Sequence, residues 1–296
     1  MSAETFAIIG ALAVAVSTFI LRRAVLNVSD ATVGAVVTVA IGLPFFMLVL
    51  VALGQVKSVV SLPWQSYAWL SAAGIVHIVV ARSLFYRCVQ LYGANVSQVL
   101  LNSFPLFTVA LGVSLLNEPL TWNLVGGVLL IVGGIMIISL NPQMFRRGQG
   151  LFSGIPRKAF LLGISVGLCV GISPIMIKIG LSGQTSPVVG VFISYTAAIV
   201  ILGLSLVNHN RRVAISNMKV GTIGLFVLSG LFMGATQLAR YTALSMAPAS
   251  IVEPIFAIAP VFVLTLSFLF NRKLEVFSAP VIAGTIAVII GAILIF

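Results

Sequence analysis

Apolar residues run through this chain in long unbroken blocks, separated by short stretches rich in Pro, Gly, Asn and cations. The blocks fall at about 4–22, 32–54, 66–88, 94–116, 122–140, 159–180, 187–207, 220–243, 249–270 and 277–296. Each is close to the roughly 20 residues a helix needs to cross the hydrocarbon of a bilayer. None shows strand-type alternation, and an open sheet edge cannot survive in lipid, so the blocks predict helices. Ten crossings use roughly 200 residues and leave no room for a sizeable soluble domain. The predicted fold is an all-α membrane protein with ten transmembrane helices. Its most polar stretch, 141–158 (NPQMFRRGQGLFSGIPRK), is a linker between two halves of five helices, 1–140 and 159–296.

The halves read as copies. Tyr86, Ala94, Pro105, Glu118, Gly127 and Gly134 follow one another in the first half, and Tyr241, Ala249, Pro260, Glu275, Gly284 and Gly291 repeat the order in the second. The offset is 155 residues up to the prolines and 157 from the glutamates onward, with a two-residue insertion near Arg272 and Lys273. Arg23 and Gly34 likewise match Lys178 and Gly190, at offsets of 155 and 156. An ordered series at a nearly constant offset marks a duplication. Because each copy has an odd number of spans, the second enters the membrane from the opposite side. Such inverted repeats build alternating-access transporters whose site lies near the midplane.

The segment YRCVQLYGANVSQVLLNSFPLFTVALGVSLLNEPLTWNLVGGVLLIVGGI (86–135) and its partners at 239–270 and 274–293 resemble the two EamA domains of the drug/metabolite transporter superfamily. The tyrosine, the small residues entering the fourth helix, the mid-helix proline, the E-x-L/F-T/S turn and the spaced glycines carry the likeness, which covers almost the whole chain. It implies a ten-helix carrier of small metabolites, amino acids or toxic compounds, commonly outward and commonly coupled to protons. Many members have Glu immediately before the mid-helix proline. Here those positions are Phe104 and Ala259, so a role for that carboxylate does not transfer.

Composition excludes other classes. Of 296 residues, 60% are apolar and 7% charged, with a mean hydropathy of +1.22. A soluble domain is about 45–50% apolar and 25% charged, so a soluble enzyme or nucleic-acid binder is excluded. The net charge of +11 sits mostly at the ends of the apolar runs. Loops after odd-numbered spans carry Arg22, Arg23, Arg146, Arg147, Arg157, Lys158, Arg211, Arg212, Lys219, Arg272 and Lys273, and loops after even-numbered spans only Lys57 and Lys178. The positive-inside rule then places both termini outside the cytoplasm of a bacterial or archaeal inner membrane. The family more often has both termini inside, and Arg22 and Arg23 are either loop or cavity residues. Cys88 and Cys169 offer neither a disulfide framework nor metal spacing. The first apolar block lacks a basic leader and a cleavage site, so it is expected to stay as a helix.

Ionisable groups at membrane depth are costly and usually functional. Of five acids, Glu4 and Asp30 fall at helix ends, while Glu118 and Glu275 precede the fifth and tenth spans, where a carboxylate caps a helix start. That leaves Glu253, in SIVEPIFAIAP, which either protonates or contacts substrate during transport, or pairs with Arg240. Pro105 in the fourth helix and Pro254 and Pro260 in the ninth predict bends around a polar interior, since proline frees a carbonyl. Asn95, Gln98 and Asn102 share one helix face and line that interior or bond between helices. The third and eighth spans add His77, Arg82, Tyr86, Arg87, Gln237, Arg240 and Tyr241. Arg82 and Arg240 can each hold a carboxylate or phosphate, His77 is a relay or a core group, and Arg87 snorkels. In the sixth span Ser173-Pro174 is expected to interrupt the helix, and Lys178 either enters the cavity or snorkels. The surplus of cations points to an anionic or zwitterionic small molecule, with protons as possible co-substrate.

Gly163-Ile-Ser-Val-Gly167 matches G-x-S-x-G, but a nucleophile elbow needs a strand-to-helix turn and triad partners that this chain lacks. Gly163, Gly167 and Gly171, like Gly230 and Gly234, read as close-packing stripes. No enzyme, cofactor, metal or nucleic-acid role is predicted. The expected surroundings are lipid, and the expected state is a monomer or homodimer. The alternative to a carrier is a passive channel or facilitator for small polar solutes.

Overall fold

The structure is a computed structural model that describes residues 1–25, 31–92, 94–139, 157–183, 185–270 and 279–295. Among them every regular element is helical. They are α1 (Ala3–Val25), α2 (Ala31–Ala52), α3 (Trp64–Gly74), a π-helical segment (Ile75–Ala81), α4 (Arg82–Tyr92), α5 (Ala94–Leu101), α6 (Phe104–Leu116) and α7 (Trp122–Ser139). The second half adds α8 (Arg157–Leu181), α9 (Pro187–Leu204), α10 (His209–Ser216), α11 (Val220–Met246), α12 (Ala249–Phe256), α13 (Ala259–Phe270) and α14 (Ala279–Ile295). Six stretches are long and apolar enough to cross a membrane: Ala3–Leu21, Trp64–Tyr92, Arg157–Leu181, Pro187–Val207, Val220–Met246 and Ala249–Phe270. Four shorter apolar helices accompany them: Val36–Ala52, Phe104–Leu116, Trp122–Ile138 and Ala279–Ile295. Asp30, Arg146, Arg147, Arg272, Lys273, Glu275 and most of the linker lie outside the described residues, as do the side chains of Arg22, Arg23, Tyr86 and Asn95.

Two predicted spans are broken where the prolines demand it. The fourth divides at Asn102 and Ser103 and the ninth at Ala257 and Ile258, each just before the equivalent prolines Pro105 and Pro260. A proline has no N–H for the preceding turn and crowds its carbonyl, so the chain restarts as a new helix with the proline in its first turn. The expected interruption at Ser173-Pro174 does not occur, because α8 runs unbroken from Arg157 to Leu181. Pro174 forfeits a single backbone bond, and the turns on either side are pinned. Gly171 packs on Phe104 and Phe107, and Gly180 on Leu70. Pro254 is likewise carried inside α12. The third span departs from an ideal helix at Ile75–Ala81, a run dominated by β-branched residues that crowd the preceding turn. Arg211 and Arg212, expected in a loop, fall in the short helix α10.

The described residues form two compact units that cut across the sequence halves. Unit 1 comprises Met1–Val79 and Met176–Ala247, and unit 2 comprises Val80–Ile175 and Pro248–Phe296. In unit 1, α11 runs antiparallel along α1. The Ser17 hydroxyl donates to the Ser229 carbonyl at 2.9 Å, and the Thr236 hydroxyl reaches the Gly10 carbonyl at 3.4 Å. Such bonds satisfy polar groups between helices where no water competes.

In unit 2 the equivalent helices α7 and α14 press backbone to backbone. A Cβ on Gly127 would lie 2.6 Å from the Gly291 carbonyl oxygen, and one on Gly134 would lie 2.5 Å from that of Gly284. The reverse approaches are as tight, at 2.6 Å for Gly291 on Gly127 and 2.7 Å for Gly284 on Gly134. Numbers rise along one helix as they fall along the other, so two repeat-equivalent helices lie antiparallel. The contacts exchange with each other under the repeat relation, as a local two-fold axis relating this helix pair requires. The Gly163, Gly167 and Gly171 stripe packs on Leu100, Ser103 and Phe107 of unit 2, consistent with close packing.

Candidate functional site

Unit 1 contains five of the predicted residues, His77, Lys178, Gln237, Arg240 and Tyr241. On α11, Gln237, Arg240 and Tyr241 stand at spacings of three and four and share a face. Arg240 is 5% exposed and Gln237 7%, deep burial for side chains of this polarity. The Arg240 Nη1 lies 3.3 Å from His77 Nε2 and 3.5 Å from His77 Nδ1. Near-equal distances to both ring nitrogens place the guanidinium between them rather than in line with either lone pair. His77 sits in the π-helical segment, an irregularity often found at functional sites. Tyr241 is tied into the scaffold: its hydroxyl donates to Ser194 Oγ at 2.7 Å, and Ser194 Oγ donates to the Leu70 carbonyl at 2.6 Å.

Lys178, expected to enter the cavity or to snorkel, binds the end of a helix in unit 1. Its Nζ donates to the carbonyls of Ala247 at 2.8 Å and Leu244 at 3.3 Å, at the C-terminal end of α11. Those carbonyls lack helical partners, and a cation there also suits the helix dipole.

Unit 2 holds the buried carboxylates, Glu118 and Glu253. Glu118 caps a helix start as anticipated, but not that of the fifth span. Its Oε1 accepts from the Ala249 N–H at 2.7 Å and its Oε2 from the Ser250 N–H at 2.9 Å, at the beginning of α12. The residue is buried, and a Cβ on Gly112 would lie 2.5 Å from Oε2, so the glycine makes room for the carboxylate. Asn117, left-handed at φ 52°, turns the chain to bring Glu118 into place. Local sequence held no signal for this pairing, because the partners are 131 and 132 residues apart.

Glu253 follows in α12 and is 1% exposed. Its equivalent at an offset of 155 is Gln98, whose Nε2 donates to Asn102 Oδ1 at 3.0 Å across the break of the fourth span. Among the described residues, the buried hydroxyls of Ser173 and Ser250 find no partner, and Arg82 stands half-buried at the start of α4. The glycines, Pro105 and Pro260 recur in both halves, whereas the positions equivalent to Arg240 and His77 are Phe85 and Phe232. Features that build the fold are duplicated, and this polar pair is not.

Helices throughout the described residues, exposed apolar side chains, two sequence repeats and buried polar side chains in both units fit an integral, multi-pass membrane transporter. The chain belongs to the EamA-like transporter family, whose model matches residues 1–140 and 157–296. A solved crystal structure described only as that of a protein is similar over 99% of this chain and 94% of its own, with a TM-score of 0.76 and 16% identity, a likeness of fold alone. No curated protein matches.

Proposed function

We propose that this transporter is a secondary carrier of a small anionic or zwitterionic metabolite. It works by alternating access, with ten crossings in two inverted five-helix repeats. The antiparallel pairing of the equivalent helices α7 and α14 through Gly127, Gly134, Gly284 and Gly291 carries this reading. Inversion of one repeat relative to the other is the symmetry by which such carriers exchange outward and inward access. The buried polar side chains of both units supply hydrogen-bonding capacity that a purely structural subunit would not retain. Export coupled to protons is the favoured direction, with both termini outside the cytoplasm as the loop charges prescribe.

Proteoliposomes preloaded with a mixture of amino acids and organic acids test it. Labelled members of the same mixture should enter saturably and faster when the unlabelled compound waits inside. Flux that rises linearly with concentration, without stimulation from the opposite side, would identify a passive channel and overturn the reading. Glu253 is the coupling group in this scheme, because it is the acid buried deepest among the described residues. In the Glu253→Gln variant, uptake measured between pH 5.5 and 8 should lose its dependence on the proton gradient. An unchanged pH profile would assign the coupling elsewhere.

A further inference from the structure

The helix directions in unit 1 sort its charges by end. α1 and α11 run antiparallel, so the last turn of α1, with Arg22 and Arg23, lies beside the start of α11. α2 runs parallel to α11, since Gly34 packs on Phe226, Gly230 on the Thr38 carbonyl and Gly234 on Phe45. α9 ends at Leu204 and α11 begins at Val220, and the connection, α10 included, carries Arg211, Arg212 and Lys219. Five of the eight Lys and Arg of unit 1 therefore gather at one end. The other three are Lys57, which follows α2, Lys178, which holds carbonyls at the opposite end of α11, and Arg240, which is set against His77. Unit 1 has two acids in its sequence. Glu4 is in the first turn of α1, at the opposite end, and Asp30 lies outside the described residues.

The basic end is apolar as well. Val207 and Val220, which flank α10 on either side, are 78% and 85% exposed, and Leu204 and Val213 are exposed too. Arg212 and Lys219 are exposed beside them. A connection joining two membrane spans lies at the bilayer surface, where acyl chains give way to headgroups. In water the four aliphatic side chains go without partners, and in hydrocarbon the cations do. The headgroup layer suits both.

We propose that this end of unit 1 is a docking surface for anionic phospholipid, with α10 lying in the headgroup layer. Arg212 and Lys219 meet phosphate oxygens, the arginine as a two-pronged donor and the lysine as a point charge, while Val207, Val213 and Val220 reach the top of the acyl layer. Charge complementarity selects the occupant, because a zwitterionic headgroup offers these cations no net attraction and an anionic one does. A soluble phosphate ester would satisfy the charges but leave the valines in water. The assignment is independent of what the protein transports.

Hydrogen exchange of the full-length protein in two sets of nanodiscs tests it. One set is phosphatidylcholine, and in the other a third of that lipid is replaced by phosphatidylglycerol. Residues 209–216 should exchange about tenfold slower in the anionic discs. In detergent, short-chain phosphatidylglycerol should raise the unfolding midpoint saturably, and phosphatidylcholine of the same chain length should not. A Lys or Arg near an anionic surface contributes about fivefold to binding, so Arg212→Gln combined with Lys219→Gln should weaken the phosphatidylglycerol response about twentyfold. Both side chains are exposed, so the lipid-free midpoint should stay at its wild-type value. Arg157→Gln combined with Lys158→Gln removes the same charge at the exposed start of α8 in unit 2 and should leave the response intact.

Equal exchange in the two disc types would overturn the proposal, as would a wild-type lipid response in the Arg212 and Lys219 variant. An equal loss in the unit 2 variant would reduce the effect to net charge and overturn it too. sn-Glycerol 3-phosphate, a headgroup without chains, should not protect residues 209–216 at the concentration where phosphatidylglycerol saturates. Protection by it would make a soluble phosphate ester the occupant and remove the lipid.

Discussion

Replacing Gly74 by alanine should eliminate most of the folded protein. Gly74 ends α3 where that helix lies against the backbone of α9, and an added Cβ would overlap the Ser194 carbonyl oxygen and lie 2.7 Å from its carbon and 2.8 Å from its Cα. Backbone cannot rotate aside as a side-chain tip can, so α3 and α9 must separate. Separation pulls Ser194 from the Leu70 carbonyl and strains the Tyr241 bond that fastens α11 to α9. His77 lies three residues beyond, so its placement beside Arg240 is lost as well. Overpacking of this kind costs about 3 kcal/mol or more. The measurement is the yield of monodisperse protein on gel filtration, with the unfolding midpoint of whatever survives. Gly126→Ala is the control, since no atom lies within 4 Å of a Cβ there, and it should be neutral or mildly stabilising. Normal yield and midpoint for Gly74→Ala would refute the packing described.

Glu118→Gln should loosen the start of α12 and reduce transport by more than tenfold. Glutamine keeps one acceptor oxygen but aims an amide N–H₂ at the second backbone N–H, leaving a buried donor stranded and removing a charge-assisted bond. The expected cost is about 3 kcal/mol, or roughly a hundredfold in the local opening equilibrium. Hydrogen exchange at Ala249 and Ser250 should accelerate by that factor while the α7 and α14 core stays protected. Transport falls with it because Ser250 and Glu253 ride on the same two turns. Gly112→Ala should produce the same exchange signature by pushing Oε2 from its position. Wild-type exchange rates in Glu118→Gln would show that the carboxylate does not hold this helix.

The contrast between Glu118 and Lys178 shows how far sequence carries. That a carboxylate before a span caps a helix, and that a cation near a span end meets carbonyls or headgroups, follows from local chemistry. Which helix is capped does not, because both partners are reached across the fold: Glu118 holds the start of α12, and Lys178 the end of α11. The prolines behave similarly. Four were expected to bend helices, and breaks fall just before Pro105 and Pro260, while Pro174 and Pro254 lie inside unbroken helices. A single missing N–H is a weak force, and the packing on either side of it decides.

Sequence by itself determined the class of environment, the helical character of the chain, its duplication and its family. Those properties rest on average hydropathy, on the need to satisfy backbone bonds in lipid and on order along the chain, none of which requires knowing what touches what. Tertiary structure decided the rest. It set the π-helical distortion around His77, the contact between His77 and Arg240, the burial of Gln237 and the regrouping of both halves into two units. Each of these depends on surfaces brought together from residues tens to hundreds of positions apart. Close packing, in which a glycine or a carbonyl a few tenths of an ångström away selects one arrangement, has no signature in the spacing of residues along one strand of sequence.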